Sequence, residues 1–276
     1  MRVRLLWWDK MSFERSGATA LDYEICRYGV SRLHFRGPKR DLDGPYVAFL
    51  GGTETFGRCV PVPFPALVEQ ATGRTCVNLG QSNAGIDAFI GDPEVPRLLA
   101  GARLSVLQVP GATNMSNRFY RVHPRRNDRF LDASPILSSI YPDVDFTEFT
   151  FNRHMLQSLK ALSDDRFRVV EDELRTAWSA RVRLFLRGLS CPSVLLWIRV
   201  RTEDPLGADP LLVTREMVED VSDLVCDVVE VKVVPAGASD DFAGMVVGQT
   251  EWPVAGRLIG PSAHAEIAAA LNQLVG

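Results

Sequence analysis

Two hydropathy regimes alternate along this chain. Short, nearly continuous apolar runs end in glycine or proline, and longer stretches with helical spacing separate them. The first run covers residues 47–51 and closes on Gly51-Gly52. Pro63 to Ala71 reads as a helix, because a first turn tolerates proline, and Gly73 stops it. Residues 76–80 read as a second strand ending in Gly80, Pro93 to Ala100 as a helix, and residues 104–109 as a third strand before Pro110-Gly111. Residues 193–198 are apolar almost throughout, as expected of a strand covered on both faces. Thr214 to Val225 reads as an amphipathic helix, residues 227–231 as a strand and Pro261 to Val275 as a closing helix. This alternation predicts a flavodoxin-like three-layer α/β/α fold with a central parallel sheet.

A long segment, about residues 112–190, interrupts the alternation. It opens with an arginine-rich stretch, Asn117 to Arg129, read as a loop. Two helical stretches follow, near Thr150–Ser163 and Val169–Arg187, with Asp164-Asp165 joining them. This is read as a helical cap inserted into one domain of residues 45–276. Residues 1–44 are poorly periodic and form an N-terminal extension, expected to cover a sheet edge or to make a subunit contact.

Composition narrows the choices. The chain has 276 residues, 46% of them hydrophobic, enough for one large domain with a sizeable core. A net charge of -3 gives no global basic field, so nucleic acid is not an expected partner. No apolar stretch has transmembrane length and no export signal is evident, so a cytoplasmic location is expected. Cys26, Cys59, Cys76, Cys191 and Cys226 form no CxxC motif and are expected as reduced thiols. His34, His123 and His154 are scattered without a ligand pattern, so neither a metal nor another cofactor is expected. The oligomeric state is left open.

The chemistry lies at the strand ends. Leu50-Gly51-Gly52-Thr53-Glu54-Thr55-Phe56-Gly57 places small polar side chains in a glycine turn, where open α/β sheets bind ligands. This segment resembles the first block of the SGNH (GDSL-type) hydrolases. Val77-Asn78-Leu79-Gly80 looks like their second block and Gly111-Ala112-Thr113-Asn114 like the third. Ser262-Ala263-His264 stands where that family has its catalytic histidine before a last helix. The resemblance covers about residues 45–115 and 190–276, and the chain also looks like an alphaproteobacterial family with the same blocks. It implies an SGNH-type fold with a helical insertion. It also implies an ester hydrolase, deacylase or O-acyltransferase acting on a small or carbohydrate-like substrate. Thr53 would be the nucleophile, His264 the base, and the Gly80 amide and Asn114 side chain the oxyanion donors.

The departures from that pattern keep other readings open. Thr53 replaces serine, Gly52 replaces aspartate, Ala112 replaces glycine, and Pro261 replaces the aspartate that orients the histidine; Asp240, Asp241 or Glu266 are the substitutes at hand. Three readings follow: a working Thr53–His264 pair, an inactive module that binds an anionic glycan or a partner protein, and a purely structural use of both residues. Gly52, Thr55, Arg118, Arg125 and Arg126 form the expected substrate-binding set. Their guanidinium groups favour an anionic substrate, because a guanidinium meets carboxylate or phosphate through two parallel bonds. A solvated loop paired with acidic neighbours is the competing reading of the arginines.

Overall fold

The structure is a computed structural model describing residues 21–248 and 250–276. The first apolar run forms β1 (Tyr46–Gly51), buried along its whole length. A single turn, α1 (Thr53–Phe56), follows, and then α2 (Phe64–Thr72), which ends on Gly73 in the left-handed region at φ 69°. Next come β2 (Thr75–Gly80), α3 (Ile86–Ile90), α4 (Val95–Ala100) and β3 (Leu104–Gln108). The inserted segment holds β4 (Tyr120–His123), β5 (Arg126–Ala133), α5 (Pro135–Ile140), α6 (Asn152–Leu162) and α7 (Asp164–Arg187). The chain finishes with β6 (Ser193–Val200), α8 (Arg215–Glu219), β7 (Asp227–Val233), α9 (Ala236–Ser239), α10 (Trp252–Ala255) and α11 (Pro261–Val275).

Five strands pair in parallel in the order β2-β1-β3-β6-β7. The chain moves outward from β1 to β2 and then reverses through β3, β6 and β7. The switch point therefore lies between the carboxyl ends of β1 and β3, where such sheets open a crevice. Alternation along the strands divides the core in two. Val47, Phe49, Val106, Leu196 and Ile198 pack against α2 and α11 through Phe64, Val68, Ile267 and Leu271. Ala48, Leu50, Leu79, Leu107, Leu195 and Trp197 face the other way and share a core with Phe89, Leu99, Trp178 and Val182. No helix among the described residues is long and apolar enough to cross a membrane.

Several sequence expectations are corrected. The arginine-rich stretch is a hairpin: Tyr120 and Val122 are buried and Arg121 is exposed, and β4 pairs antiparallel with β5. The insertion is thus a hairpin plus helices. Asp164-Asp165 is the first turn of α7, capped by Ser163, whose hydroxyl accepts from the Arg166 amide. The single helix expected over 214–225 breaks after Glu219, and the chain resumes only as a 3-10 turn at Ser222–Leu224, where Asp220, Ser222 and Asp223 flank the buried Val221.

Within the N-terminal extension, residues 21–44 lie against the domain, and residues 1–20 lie outside the described residues. Asp92 accepts from the Ser31 hydroxyl and the Arg32 amide. Arg36, 5% exposed, donates to the carbonyls of Phe56, Gly57, Val60 and Pro61. Its guanidinium lies 4.9 Å from the Tyr23 ring centroid. Arg40 pairs with Glu69 on α2 at 2.6 Å. The extension thereby joins the α4 side of the molecule to α2 and clamps the turn that follows α1.

Candidate functional site

The crevice at the switch point is organised by Gln108. Its Oε1 accepts from the Gly52 amide (3.0 Å), the Thr55 amide (3.2 Å) and the Thr55 hydroxyl (2.6 Å). Its Nε2 donates to Glu54 Oε2 at 2.7 Å. One amide side chain from β3 thus caps the start of α1 and holds the first motif in shape. Gly51 must be glycine, because a Cβ there would collide with Thr55 Oγ1 and Gln108 Oε1. The Thr55 hydroxyl is buried inside this network, which corrects its expected place in the substrate-binding set. Gly52 stays open, with nothing closer than 3.5 Å to a Cβ placed there.

The Thr53 hydroxyl is engaged by the loop after β2. It accepts from the Asn83 amide at 3.0 Å and donates to Asn83 Oδ1 at 3.2 Å. The Gly80 amide donates to Asn78 Oδ1 at 2.8 Å, and Asn78 Nδ2 donates to the Thr55 carbonyl. This arrangement leaves the Gly80 amide occupied, a correction to its expected role as an oxyanion donor. Asn114 differs. Its Oδ1 accepts from Asn152 Nδ2 at 3.2 Å and from Thr113 Oγ1 at 3.4 Å. Asn152 is fully buried, and its Nδ2 also meets the Thr113 and Asn127 carbonyls, which fixes it as the donor end. Asn114 Nδ2 is thereby the end left to donate outward.

His264 is not brought to this network. It lies in the first turn of α11, 1% exposed, and its Nδ1 accepts from the Phe64 amide at 3.0 Å. The ring stacks on Phe64 with centroids 5.8 Å apart. Burial, with the Arg36 charge adding to it, pulls the imidazole down from 6.5 to about 3. The substitutes considered for orienting it are elsewhere: Asp241 caps α11 by accepting from the Ser262 amide and hydroxyl, and Asp240 and Glu266 are exposed. Among the described residues, no hydrogen bond joins Thr53 to His264.

Most of the arginines are committed to carboxylates. Arg118 binds Glu173 of α7 through Nε at 2.7 Å, and Arg121 pairs with Asp132 across the hairpin. Arg126 stands 3.9 Å from Asp128. The Arg125 side chain, exposed at the hairpin tip, has no ion pair or hydrogen bond among the described residues. His34 lies close enough that Arg27 and Arg125 reinforce burial in lowering its pKa.

Sequence reasoning missed an acid–base cluster at the same sheet edge. Desolvation raises the pKa of Glu54, the Gln108 bond opposes this, and the Asp209 charge adds to it. Asp209 follows β6 and bridges back to Val200; burial raises its carboxyl too, against the pull of Arg153. Arg153 of α6 binds Asp204 at 2.6 Å and Asp209 at 3.4 Å. Only the inserted helix supplies Arg153, so no local motif announces the cluster. Two hollows of the described surface lie elsewhere. One, of about 490 Å³, is lined by Tyr28, Lys39, Arg40 and Glu94, and the other, of about 200 Å³, lies beside Trp197.

A family model described as a domain of unknown function (DUF6473) matches residues 11–276, and the chain belongs to that family. No curated protein sequence matches it. Among solved structures, a likeness is found to the N-formylmaleamic acid deformylase of Pseudomonas putida. The two share 10% identity over 69% of this chain and 84% of that one, with a TM-score of 0.22, too slight to bear on fold or function.

Proposed function

We propose that this chain is an SGNH-like module without acyl-transfer activity that binds an anionic glycan through the tip of the β4–β5 hairpin. One observation carries the first half: Thr53, His264 and the Gly80 amide are each engaged by a different internal partner, Asn83, Phe64 and Asn78. A triad needs nucleophile and base within hydrogen-bond reach. Arg125 and Arg126 support the second half, since both are exposed at the hairpin tip and Arg125 lies near His34, which Arg27 also approaches. A second reading keeps acyl transfer at Thr53. It is favoured by Asn114, whose Nδ2 is left to meet an oxyanion.

Two assays separate the readings. Wild type, Thr53→Ala and Thr53→Ser are compared for p-nitrophenyl acetate turnover, and wild type and Arg125→Ala/Arg126→Ala for binding of polygalacturonate. The proposal expects background turnover in all three proteins, with saturable, salt-sensitive binding lost in the double variant. Wild-type turnover abolished by Thr53→Ala establishes the second reading instead, and binding unaffected by the double variant removes the hairpin tip from the first.

A further inference from the structure

Two small hairpins are anchored at the two ends of α3. At its start, the buried Asn127 of β5 accepts from the Gly85 and Ala88 amides, and its Nδ2 donates to the His123 carbonyl, which fixes the β4–β5 tip. Past its end, Asp92 accepts from the Ser31 hydroxyl and the Arg32 amide, and Glu94 from the Val30 amide. These bonds hold a hairpin of the N-terminal extension. The helix between the two anchors has five residues and is about 7 Å long, so the hairpins are neighbours.

The N-terminal hairpin has a sorted pair of faces. Cys26 and Phe35 form an antiparallel bridge and exchange both backbone bonds, at 3.0 and 2.9 Å. Tyr28, Leu33 and Phe35 are buried in the core, with the Tyr28 and Phe35 ring centroids 6.1 Å apart. The cross-strand pair next to the bridge, Arg27 and His34, therefore lies on the opposite face, and both residues are exposed. Arg27 donates to the Ser31 carbonyl through Nε at 3.1 Å and has no carboxylate partner among the described residues. The charges of Arg27 and of Arg125 at the neighbouring tip both reach His34.

We propose that the anion site at the β4–β5 tip is bipartite, with Arg27 and His34 as its second half, and that it takes an acidic oligosaccharide presenting at least two carboxylates. This rests on the reading of the tip as an anion site. Each half carries an exposed guanidinium without a carboxylate, and each matches one carboxylate of the ligand. Two such groups on separate elements fit a chain with charges on successive sugars, and one sugar can fill only one of them. Both hairpins are held before the ligand arrives, which removes an ordering cost from binding.

Galacturonate and trigalacturonate are titrated against the full chain by calorimetry. The trimer is expected to bind more than tenfold tighter, because its second carboxylate binds within the same complex. Arg27→Ala/His34→Gln is expected to weaken the trimer about tenfold, two exposed ionic contacts at about threefold each. Arg257→Ala removes the same charge from an exposed site beside the other core layer and is expected to change affinity by less than about twofold. Arg27→Lys keeps the charge but loses the fork on the Ser31 carbonyl, and it is expected to retain most of the affinity. Equal binding of monomer and trimer, or an Arg27→Lys protein as weak as the double variant, overturns the bipartite site. Loss in Arg125→Ala/Arg126→Ala with no change in Arg27→Ala/His34→Gln overturns it too and leaves the tip itself as the anion site. Indifference to both double variants, or no saturable binding by wild type, overturns both.

Discussion

The backbone N–H of Phe64 donates to Nδ1 of His264 at 3.0 Å, inside the core that joins α2 to α11. The bond requires a neutral imidazole, because a protonated ring has no acceptor. His264 is therefore a folding residue whose charge state is coupled to stability.

This coupling gives the first prediction. The folded imidazole titrates near about 3 and the unfolded one near 6.5. Below pH 6.5 the unfolded chain takes up a proton that the folded chain refuses. The stability from this group is thus fully present above that pH and falls by about 1.4 kcal/mol per pH unit toward the folded value. His264→Asn, which keeps an acceptor, should flatten the pH dependence measured by urea denaturation. His264→Ala should cost about 2–4 kcal/mol at neutral pH through the orphaned amide and the cavity. An equal acid sensitivity in wild type and His264→Asn contradicts this account.

The second prediction concerns the N-terminal clamp. Arg36 gives four hydrogen bonds to carbonyls between Phe56 and Pro61 and stacks near Tyr23. Arg36→Met keeps the apolar stem and leaves those carbonyls unpaired. A loss of roughly 3 kcal/mol is expected, with Arg36→Lys recovering only part of it, because an ammonium cannot span the fork of acceptors. Denaturant midpoints for the three proteins check the ranking.

The sheet was legible because its strands carry their own signal: residues 47–51, 76–80, 104–109 and 193–198 are short, mostly apolar runs, the first three closing on glycine or proline. The β4–β5 hairpin was less legible. Tyr120, Arg121, Val122 and His123 alternate as a strand should, but the arginine density suggested a solvated loop. At the site, the blocks gave Thr53, Gly80 and Asn114 but not their partners. Asn83 reaches Thr53 from the loop after β2 and Asn152 reaches Asn114 from the start of α6, while Asn78 sits in the same block as the Gly80 it caps; nothing local in the sequence marks an asparagine as the partner of a particular hydroxyl or amide. Gln108 was hidden for a different reason: it is a polar residue ending a buried strand, and its use depends on β1 and β3 being neighbours.

The third prediction tests that neighbouring arrangement through glycine. At position 51 a methyl group would collide with Thr55 Oγ1 and Gln108 Oε1, and at position 85 with the Asn114 carbonyl oxygen. At position 52 it meets only ordinary contacts, starting at 3.5 Å. Gly51→Ala and Gly85→Ala should each lose about 1–3 kcal/mol or more, as overpacked sites do. Gly52→Ala should stay within about 0.5 kcal/mol of wild type. Melting temperatures of the three variants suffice, and a Gly52→Ala protein as unstable as Gly51→Ala would show the strand-end turn to be misassigned.

The last prediction isolates the Gln108–Glu54 pair. Gln108→Leu strands the Gly52 and Thr55 amides and the Thr55 hydroxyl, so a loss of about 2–4 kcal/mol is expected. It also removes the Nε2 donor that stabilises the Glu54 carboxylate. Carboxyl carbon NMR should therefore show Glu54 titrating still higher in Gln108→Leu than in wild type. In wild type its folded pKa already lies above the ordinary 4.5 through desolvation, with Asp209 adding to it. The folded chain thus holds this proton more tightly than the unfolded chain, and Glu54 contributes stability as pH falls from neutral toward about 4.5, opposite in sign to His264. Glu54→Gln should be more stable than wild type at neutral pH, with the advantage shrinking on acidification. If the two proteins instead diverge further as the pH falls, the Glu54 carboxylate is stabilised in the fold, and the acid–base cluster at this sheet edge has been read with the wrong sign.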